Sequence, residues 1–361
     1  RNSMKQSKYR KKVDTLFILG AGSSRALTHV NPRKNEHNRS TTPVDSDFLT
    51  LMNYFSSKAG WQKKGVDLIA SNWLEKSNFW DGGLESSIIK RVADYNMLSS
   101  LYKEKARKKV SNAEYLNSLS HLITDYLLKC RSNKSGETKK FVDFVFPEKT
   151  PYSELNNRII TFNYDLIIDR VFFERGWSKQ KIYFDRIAKK EIGGTRRNTI
   201  DAFPDPLLVK LHGSLNWRCS QKNFESIIDG TCHSTDKITI WTDDTQSAKP
   251  DDGHSPLIIP PIPNKPITAS PIFSHLWTKA FEYLHEAKKI VIVGYSCPAT
   301  DVMAQSIFTQ FRNMNTTDIY VVDPSADAMA NYVELMHGQV KKNVRWHYYR
   351  GFSEYLENEV S

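Results

Sequence analysis

Leu16-Phe17-Ile18-Leu19-Gly20-Ala21-Gly22-Ser23-Ser24-Arg25 decides how the rest of the chain is read. A short apolar run ends in Gly-x-Gly, and two small hydroxyl residues follow. A buried strand that turns sharply into a helix needs this pattern. The glycines permit tight φ/ψ angles, and the amides exposed at the helix start suit the phosphates of a ligand. A tight turn with no ligand is the plain alternative. The stretch departs from the dinucleotide fingerprint in two ways. Arg25 stands at the third glycine position, and no strand-end acid follows about 20 residues on, since Asp45 and Asp47 lie in a polar stretch with Pro43. An ordinary nicotinamide dehydrogenase is therefore disfavoured.

Working outward, residues 26–43 are polar and rich in Asn, Arg, Ser and Thr. They read as a long loop, placed where a lid over a ligand would be. Residues 84–129 carry helical spacing, with Leu84, Ile88, Val92, Tyr95, Leu98 and Leu101 in one set and Leu116, Leu119, Ile123, Tyr126 and Leu127 in another. Two packed helices are expected there, followed by a polar connector over Ser132–Lys140.

From Arg158 onward short apolar strands alternate with helices. Strands are expected at 158–162, 207–211, 290–293, 319–322 and 344–349, with a hairpin arm near Lys237–Thr242. Helices are expected at 166–174, 276–287 and 301–311. Strands that are apolar throughout and separated by helices argue a parallel α/β sheet. The expected fold is a Rossmann-like parallel sheet with helices on both faces and a helical insertion. In domain terms this is a basic tail over residues 1–12 and a single domain over 13–358, with a core from 13–50 and 151–358 and an insertion over about 51–150.

The 361 residues supply ample material for a core. Arg1 to Ser3, ahead of Met4, read as a cloning remnant. No apolar run reaches membrane-spanning length and no secretory signal opens the chain, so a cytoplasmic protein without membrane contact is expected. The four cysteines, Cys130, Cys219, Cys232 and Cys297, are sparse and irregularly spaced, which fits a reducing compartment. The net charge of +11 collects partly in the tail and partly in Lys103–Lys109. It reads either as solvated helix surface or as attraction to nucleic acid or an acidic partner.

The residues able to do chemistry all follow predicted strands. They are Gly20 to Ser24, Asn163-Tyr164-Asp165, His212-Gly213-Ser214, Gly294-Tyr295-Ser296 and Asp323. In an open α/β sheet the carboxyl edge is where ligands bind. Turn and capping chemistry explains Asp165, Ser214 and Ser296 individually, but it explains His212 poorly.

Four motifs occur here in the order seen in the sirtuin-like superfamily: Gly20-Ala21-Gly22-Ser23-Ser24, Thr161-Phe162-Asn163-Tyr164-Asp165, Leu211-His212-Gly213-Ser214-Leu215-Asn216-Trp217 and Val293-Gly294-Tyr295-Ser296. The Phe-Asn-Tyr-Asp and Leu-His-Gly-Ser-Leu-Asn-Trp forms, with Ile258-Ile259-Pro260-Pro261, resemble its prokaryotic defence-associated branch. Protein-deacetylating sirtuins carry two Cys-x-x-Cys pairs after the His-Gly motif. Here that interval holds only Cys219 and Cys232, with His233 beside the second, so no structural zinc is expected.

The resemblance implies NAD⁺ as substrate and an NAD⁺ glycohydrolase serving antiviral defence. A protein deacylase, an ADP-ribosyltransferase or a nucleotide-sensing module are the alternatives. It implies Asn163 and His212 as catalytic residues, His212 as general base and Asn163 orienting water or a ribose hydroxyl. Gly20, Ala21, Gly22, Ser23, Thr161, Gly294 and Ser296 are expected to contact the dinucleotide, the first turn taking the pyrophosphate. Asp165 either holds the nicotinamide carboxamide or caps the following helix. Asp323 either accepts from the adenosine ribose or simply makes the turn at Pro324. A homo-oligomer is expected, as is pairing with a HerA-type DNA-translocating ATPase. The chain carries no Gly-x-x-x-x-Gly-Lys-Ser/Thr pattern of its own.

Overall fold

The computed structural model describes residues 13–28, 84–101, 112–129, 136–183, 205–229, 231, 238–240, 254–260, 270–299, 301–310, 312–313 and 315–359. The elements begin with β1 (Thr15–Leu19), α1 (Ala21–Thr28), α2 (Leu84–Leu101), α3 (Asn112–Lys129), α4 (Gly136–Val145) and β2 (Arg158–Thr161). They continue with α5 (Ile167–Glu174), α6 (Lys179–Ile182), β3 (Leu208–Lys210), β4 (Gly213–Ser220), α7 (Gln221–Ile228), β5 (Thr239–Ile240) and β6 (His254–Ile258). The last are α8 (Pro271–Glu286), β7 (Lys289–Val293), α9 (Val302–Gln310), β8 (Asp318–Val322), α10 (Ala326–Leu335), β9 (Arg345–Tyr349) and α11 (Phe352–Glu359).

Six strands form a parallel sheet in the order β3-β2-β1-β7-β8-β9, with Phe17 of β1 flanked by Ile159 and Val291. Counted along this sheet alone the order is 3-2-1-4-5-6, the doubly wound Rossmann-like arrangement. All five residues of β8 are buried, as are the last four of β1 and β7, so helices must cover both faces. On one layer α1 packs with α4, α5 and α11; α9 packs with α10, and α8 with β3. The edge strand β9 is half-buried.

A second sheet, β5-β4-β6, is antiparallel; β5 falls in the segment expected as a hairpin arm, whereas β4 and β6 are strands beyond those expected. Its central strand covers the Gly-Ser-Leu-Asn-Trp motif. The alternation Ser214-Leu215-Asn216-Trp217-Arg218-Cys219 has the period of a strand, yet every one of these residues is buried. Helices α3 and α7 pack against this sheet and against each other.

Four details differ from expectation. Helix α4 begins at Gly136, inside the segment read as a connector. Its lysines, Lys139 and Lys140, face outward while Thr138, Phe141, Val142 and Val145 are buried at helical spacing. Helix α8 starts earlier than expected because Pro271 fits the first turn, where a missing N–H costs nothing. The apolar stripe of α2 does not stay buried to its end: Ile88 is 1% exposed but Leu101 is 66% exposed. The loop expected over 26–43 gives up its first residues to α1, and the remainder lies outside the described residues.

The strand order reverses between β1 and β7, and there two turns touch. Gly20 N–H donates to Val293 O (3.1 Å), Gly22 N–H to Gly294 O (3.0 Å) and Gly294 N–H to Val322 O (2.9 Å). Gly294 sits at φ +57°, and a Cβ there would lie 2.3 Å from Ser23 N. Gly294→Ala is therefore expected to cost several kcal/mol, since backbone on both sides has nowhere to move. Gly338→Ala, at φ +75° with nothing within 4 Å, should cost only about 1–2 kcal/mol. Denaturant unfolding of both variants measures this, and equal losses would refute the packing argument.

At the opposite, amino edge, Asp318 accepts from Arg345 Nη2 (2.8 Å) and Thr317 Oγ1 (2.8 Å) and pairs with His347 Nε2 (3.0 Å). Burial pushes the Asp318 carboxyl up, but hydrogen bonds from Arg345, His347 and Thr317 outweigh it and hold it well below the usual carboxylate range. A group depressed on folding stabilises above its unfolded value, about 3.9, and that contribution is lost as pH falls through the folded value. The stability advantage of the wild type over Asp318→Asn should thus be full at about pH 6 and shrink below about pH 4. Urea unfolding at the two pH values checks the sign; an advantage that grows on acidification would contradict it.

Candidate active site

Asn163 follows β2 and reaches across to the turn after β1. Its Nδ2 donates to Gly20 O (2.7 Å) and Ser24 Oγ (2.7 Å), with Ser23 Oγ at 3.3 Å. Its backbone N–H donates to Thr161 Oγ1 (3.0 Å), and Thr161 Oγ1 donates to Leu19 O (3.3 Å). Ser24 Oγ in turn donates to Asp165 Oδ2 (2.5 Å), while Asp165 Oδ1 accepts from Ile167 N–H (3.0 Å). The helix-capping role of Asp165 is thus present, and the same carboxylate closes a chain of hydrogen bonds from Gly20 through Asn163 and Ser24.

The first turn is more occupied than its sequence suggests. Gly22 N–H is committed to Gly294 O, and Ser23 N–H donates to Gly20 O (2.9 Å). Ser23 Oγ also donates to Gly20 O (2.6 Å). A Cβ on Gly20 would lie 2.5 Å from Gly294 O and from Tyr295 Cβ. Both glycines are thus required by the neighbouring turn, whereas Ala21 is exposed at the amino end of α1.

Under this corner lies a buried ion pair. Lys210, at the end of β3, donates to Asp169 Oδ2 (3.0 Å), with both side chains at most 2% exposed. Lys210 Nζ also donates to Asp165 O, and Tyr183 Oη donates to Asp169 Oδ1. Asn216 Nδ2 extends the network to Tyr183 Oη (3.2 Å). Burial, with the Asp169 charge beside it, pushes the Tyr183 phenol well above its ordinary value, so it serves as a donor. A small pocket opens above, lined by Ser24, Thr161, Asn163, Asp165 and Lys210.

His212 stands where the parallel sheet hands the chain to the antiparallel one. Its carbonyl accepts from Ile259 N–H (2.8 Å), and the preceding Leu211 O accepts from Trp277 Nε1 (3.2 Å). The next residue, Gly213, has φ +83°, and a Cβ there would meet Leu257 O at 2.1 Å, so no other residue fits after the histidine. The imidazole is 7% exposed and lies among Phe162, Tyr164 and Trp277, at ring-centroid distances of 5.4, 6.3 and 6.2 Å. Its Nε2 is 3.7 Å from Asp301 Oδ2. Tyr295 stacks on Phe162 at 3.9 Å and donates from its hydroxyl to Asp301 Oδ2 (3.1 Å). Burial first, then the Asp301 charge, pushes the Tyr295 phenol well above its ordinary value.

Gly20, Ser23, Thr161, Asn163 and Asp165 are therefore brought into one hydrogen-bonded cluster, and Gly294 joins it through backbone. Ser296 is exposed further along the edge, its carbonyl accepting from Asn331 Nδ2 (2.8 Å). Asp323 makes the expected turn, Oδ1 accepting from Ser325 N–H (2.9 Å). Burial raises its carboxyl against that hydrogen bond. Lys210 and Asp301 are residues that strand-end reasoning does not reach, and Ser24 and Tyr295 stand in the strand-end motifs without an assigned role. Asp301 reads in sequence as an ordinary helix N-cap, and only the return of the chain past Tyr295 brings it to His212.

Among the described residues no group of three or more His, Cys, Asp or Glu is placed to hold a metal ion. Cys219 is buried in β4, and Cys232 and His233 lie outside the described residues. No helix among the described residues is long and apolar enough to cross a membrane. A search of curated proteins finds none that matches. The SIR2-like domain family matches residues 157–346, more than half of the chain. That span holds Asn163, Asp165, His212, Tyr295, Asp301 and Asp323, and its strands build on the β1 turn that precedes it. With this match covering more than half of its length, the chain belongs to the SIR2-like domain family.

Proposed function

We propose that this protein is an NAD⁺ glycohydrolase, converting NAD⁺ and water into nicotinamide and ADP-ribose. SIR2-like domains use NAD⁺. The observation that carries the hydrolase reading is the meeting of Asn163 with the Gly20–Ser24 turn at the carboxyl edge of β1 and β2, with His212 at the end of the adjoining β3. This is the edge of an open parallel sheet where ligands bind.

The chemistry asked of the site is modest. Nicotinamide is a good leaving group, and its departure leaves oxocarbenium character at the anomeric carbon. Asn163 orients the attacking oxygen without adding charge, because its amide is fixed by three acceptors on the first turn. His212, nearly enclosed by aromatic rings, takes the proton. Asp165 holds the carboxamide, and the exposed amino end of α1 at Ala21 faces the pyrophosphate. Asp165 retains acceptor capacity for an amide N–H even while bonded to Ser24 and Ile167, since an ionised carboxylate offers about four lone-pair sites.

The motif forms support a wider setting: an NAD⁺-depleting effector of antiviral defence, assembled as a homo-oligomer with a HerA-type ATPase. Purified protein, alone and mixed with such an ATPase, should release nicotinamide from NAD⁺. Asn163→Ala and His212→Ala should each lower turnover by about a hundredfold or more with the thermal unfolding transition retained. No nicotinamide under either condition would refute the hydrolase reading. Release requiring an acylated peptide, or label transfer to protein, would replace it with a deacylase or an ADP-ribosyltransferase. Full activity in both variants would remove the site assignment.

A further inference from the structure

The Asp301 carboxylate is 4% exposed, and a helix cap accounts for only one of its oxygens. Oδ1 accepts from Ala304 N–H (3.3 Å) at the start of α9. Oδ2 turns the other way, toward Tyr295 Oη (3.1 Å) and His212 Nε2 (3.7 Å). A buried carboxylate is expensive to keep ionised unless donors and an opposing charge face it. The imidazolium that forms when His212 takes a proton would supply that charge.

The ring packing fixes the direction of this approach. Phe162 lies edge-on to His212 and face-on to Tyr295, so the ring that walls the histidine also seats the tyrosine that holds Asp301. The tyrosine hydroxyls near the imidazole are committed elsewhere: Tyr295 to Asp301, and Tyr164 to Ile259 O (2.7 Å). Trp277 on α8 carries no charge. Asp301 brings a charged group to 3.7 Å from His212 Nε2.

We infer that Asp301 is a positioning residue for His212, holding the imidazole with Nε2–H toward the carboxylate so that Nδ1 takes the proton of the attacking oxygen. The inference rests on the glycohydrolase reading for its kinetic consequence only. In the step itself, the water oxygen forms a bond to the anomeric carbon as the bond to nicotinamide breaks. The nicotinamide nitrogen keeps that electron pair. The water proton passes to Nδ1, the imidazolium is stabilised by ionised Asp301, and the proton then leaves to solvent. A carboxylate behind a histidine fixes the tautomer and stabilises the cation that forms.

The test uses the full chain with ¹⁵N,¹³C-histidine labelling, His212 being assigned through His212→Gln. Asp301→Asn should lower the His212 titration midpoint by about one unit or more, because an opposing charge within about 4–6 Å is removed. It should also shift the neutral ring away from the Nε2–H tautomer. In parallel kcat should fall by about a hundredfold, KM should stay within about threefold, and the acid limb of the kcat profile should move to lower pH. Tyr295→Phe, which leaves the carboxylate in place, should give smaller changes of the same sign. Should Asp301→Asn fold poorly, Asp301→Glu keeps the charge and should retain the wild-type midpoint. An unchanged midpoint and tautomer in Asp301→Asn would overturn the inference, even if kcat fell. If the wild type turns over no NAD⁺, the glycohydrolase reading fails alone, and the titration still decides whether Asp301 controls His212.

Discussion

Gly22 and Gly294 meet backbone to backbone, the Gly22 amide donating to the Gly294 carbonyl at 3.0 Å, and this contact sets the spacing of the ligand edge. It joins the turn after β1 to the turn after β7 where the strand order reverses. A side chain on either residue would drive the two turns apart. Asn163 is then aligned by the first turn, and Tyr295 by the second. The cluster around Asn163 and the aromatic wall around His212 therefore depend on one steric condition.

This contact also accounts for the departure from the dinucleotide fingerprint. In that fingerprint a third glycine lets the helix pack closely on the strand. Here Arg25 stands in that position, and the close approach is made to a different segment, by Gly294. The missing side chains of Gly20 and Gly22 serve a close backbone approach within the chain, to the turn at Gly294. Two of the amides that a phosphate would meet already have carbonyl partners, which leaves Ala21 as the exposed part of the turn.

The polar groups divide into two sets with different physics. Around Asn163 the groups are neutral or singly charged and joined by hydrogen bonds, so geometry is held by directional bonds. Below them the Lys210–Asp169 pair, with Tyr183 and Asn216, ties β3, α5, the end of α6 and β4 together where water has little access. Such a pair adds little net stability over an apolar contact, but breaking it on one side leaves an unpaired buried charge. Around His212 the described walls are aromatic, and Asp301 brings a charge to 3.7 Å from Nε2.

The fold class and most strands were legible because their signals are local. Apolar runs such as Ile290–Val293 and Ile319–Val322, each ending in Gly or Asp, state a buried strand and its turn without reference to the rest of the chain. The same locality exposed Asn163 and His212, since each follows such a run. The antiparallel sheet was less legible: Ser214, Asn216 and Arg218 alternate with apolar residues as on a half-exposed strand, and only packing by α3 and α7 buries both sets. Asp301 and Lys210 were illegible as site residues, because a helix cap and a strand lysine look ordinary until non-local packing supplies their partners. The sequence by itself determined the strands, the turns and the chemical groups carried on them. Tertiary structure alone decided which groups face one another, because burial and hydrogen-bond partnership arise between segments far apart in the chain.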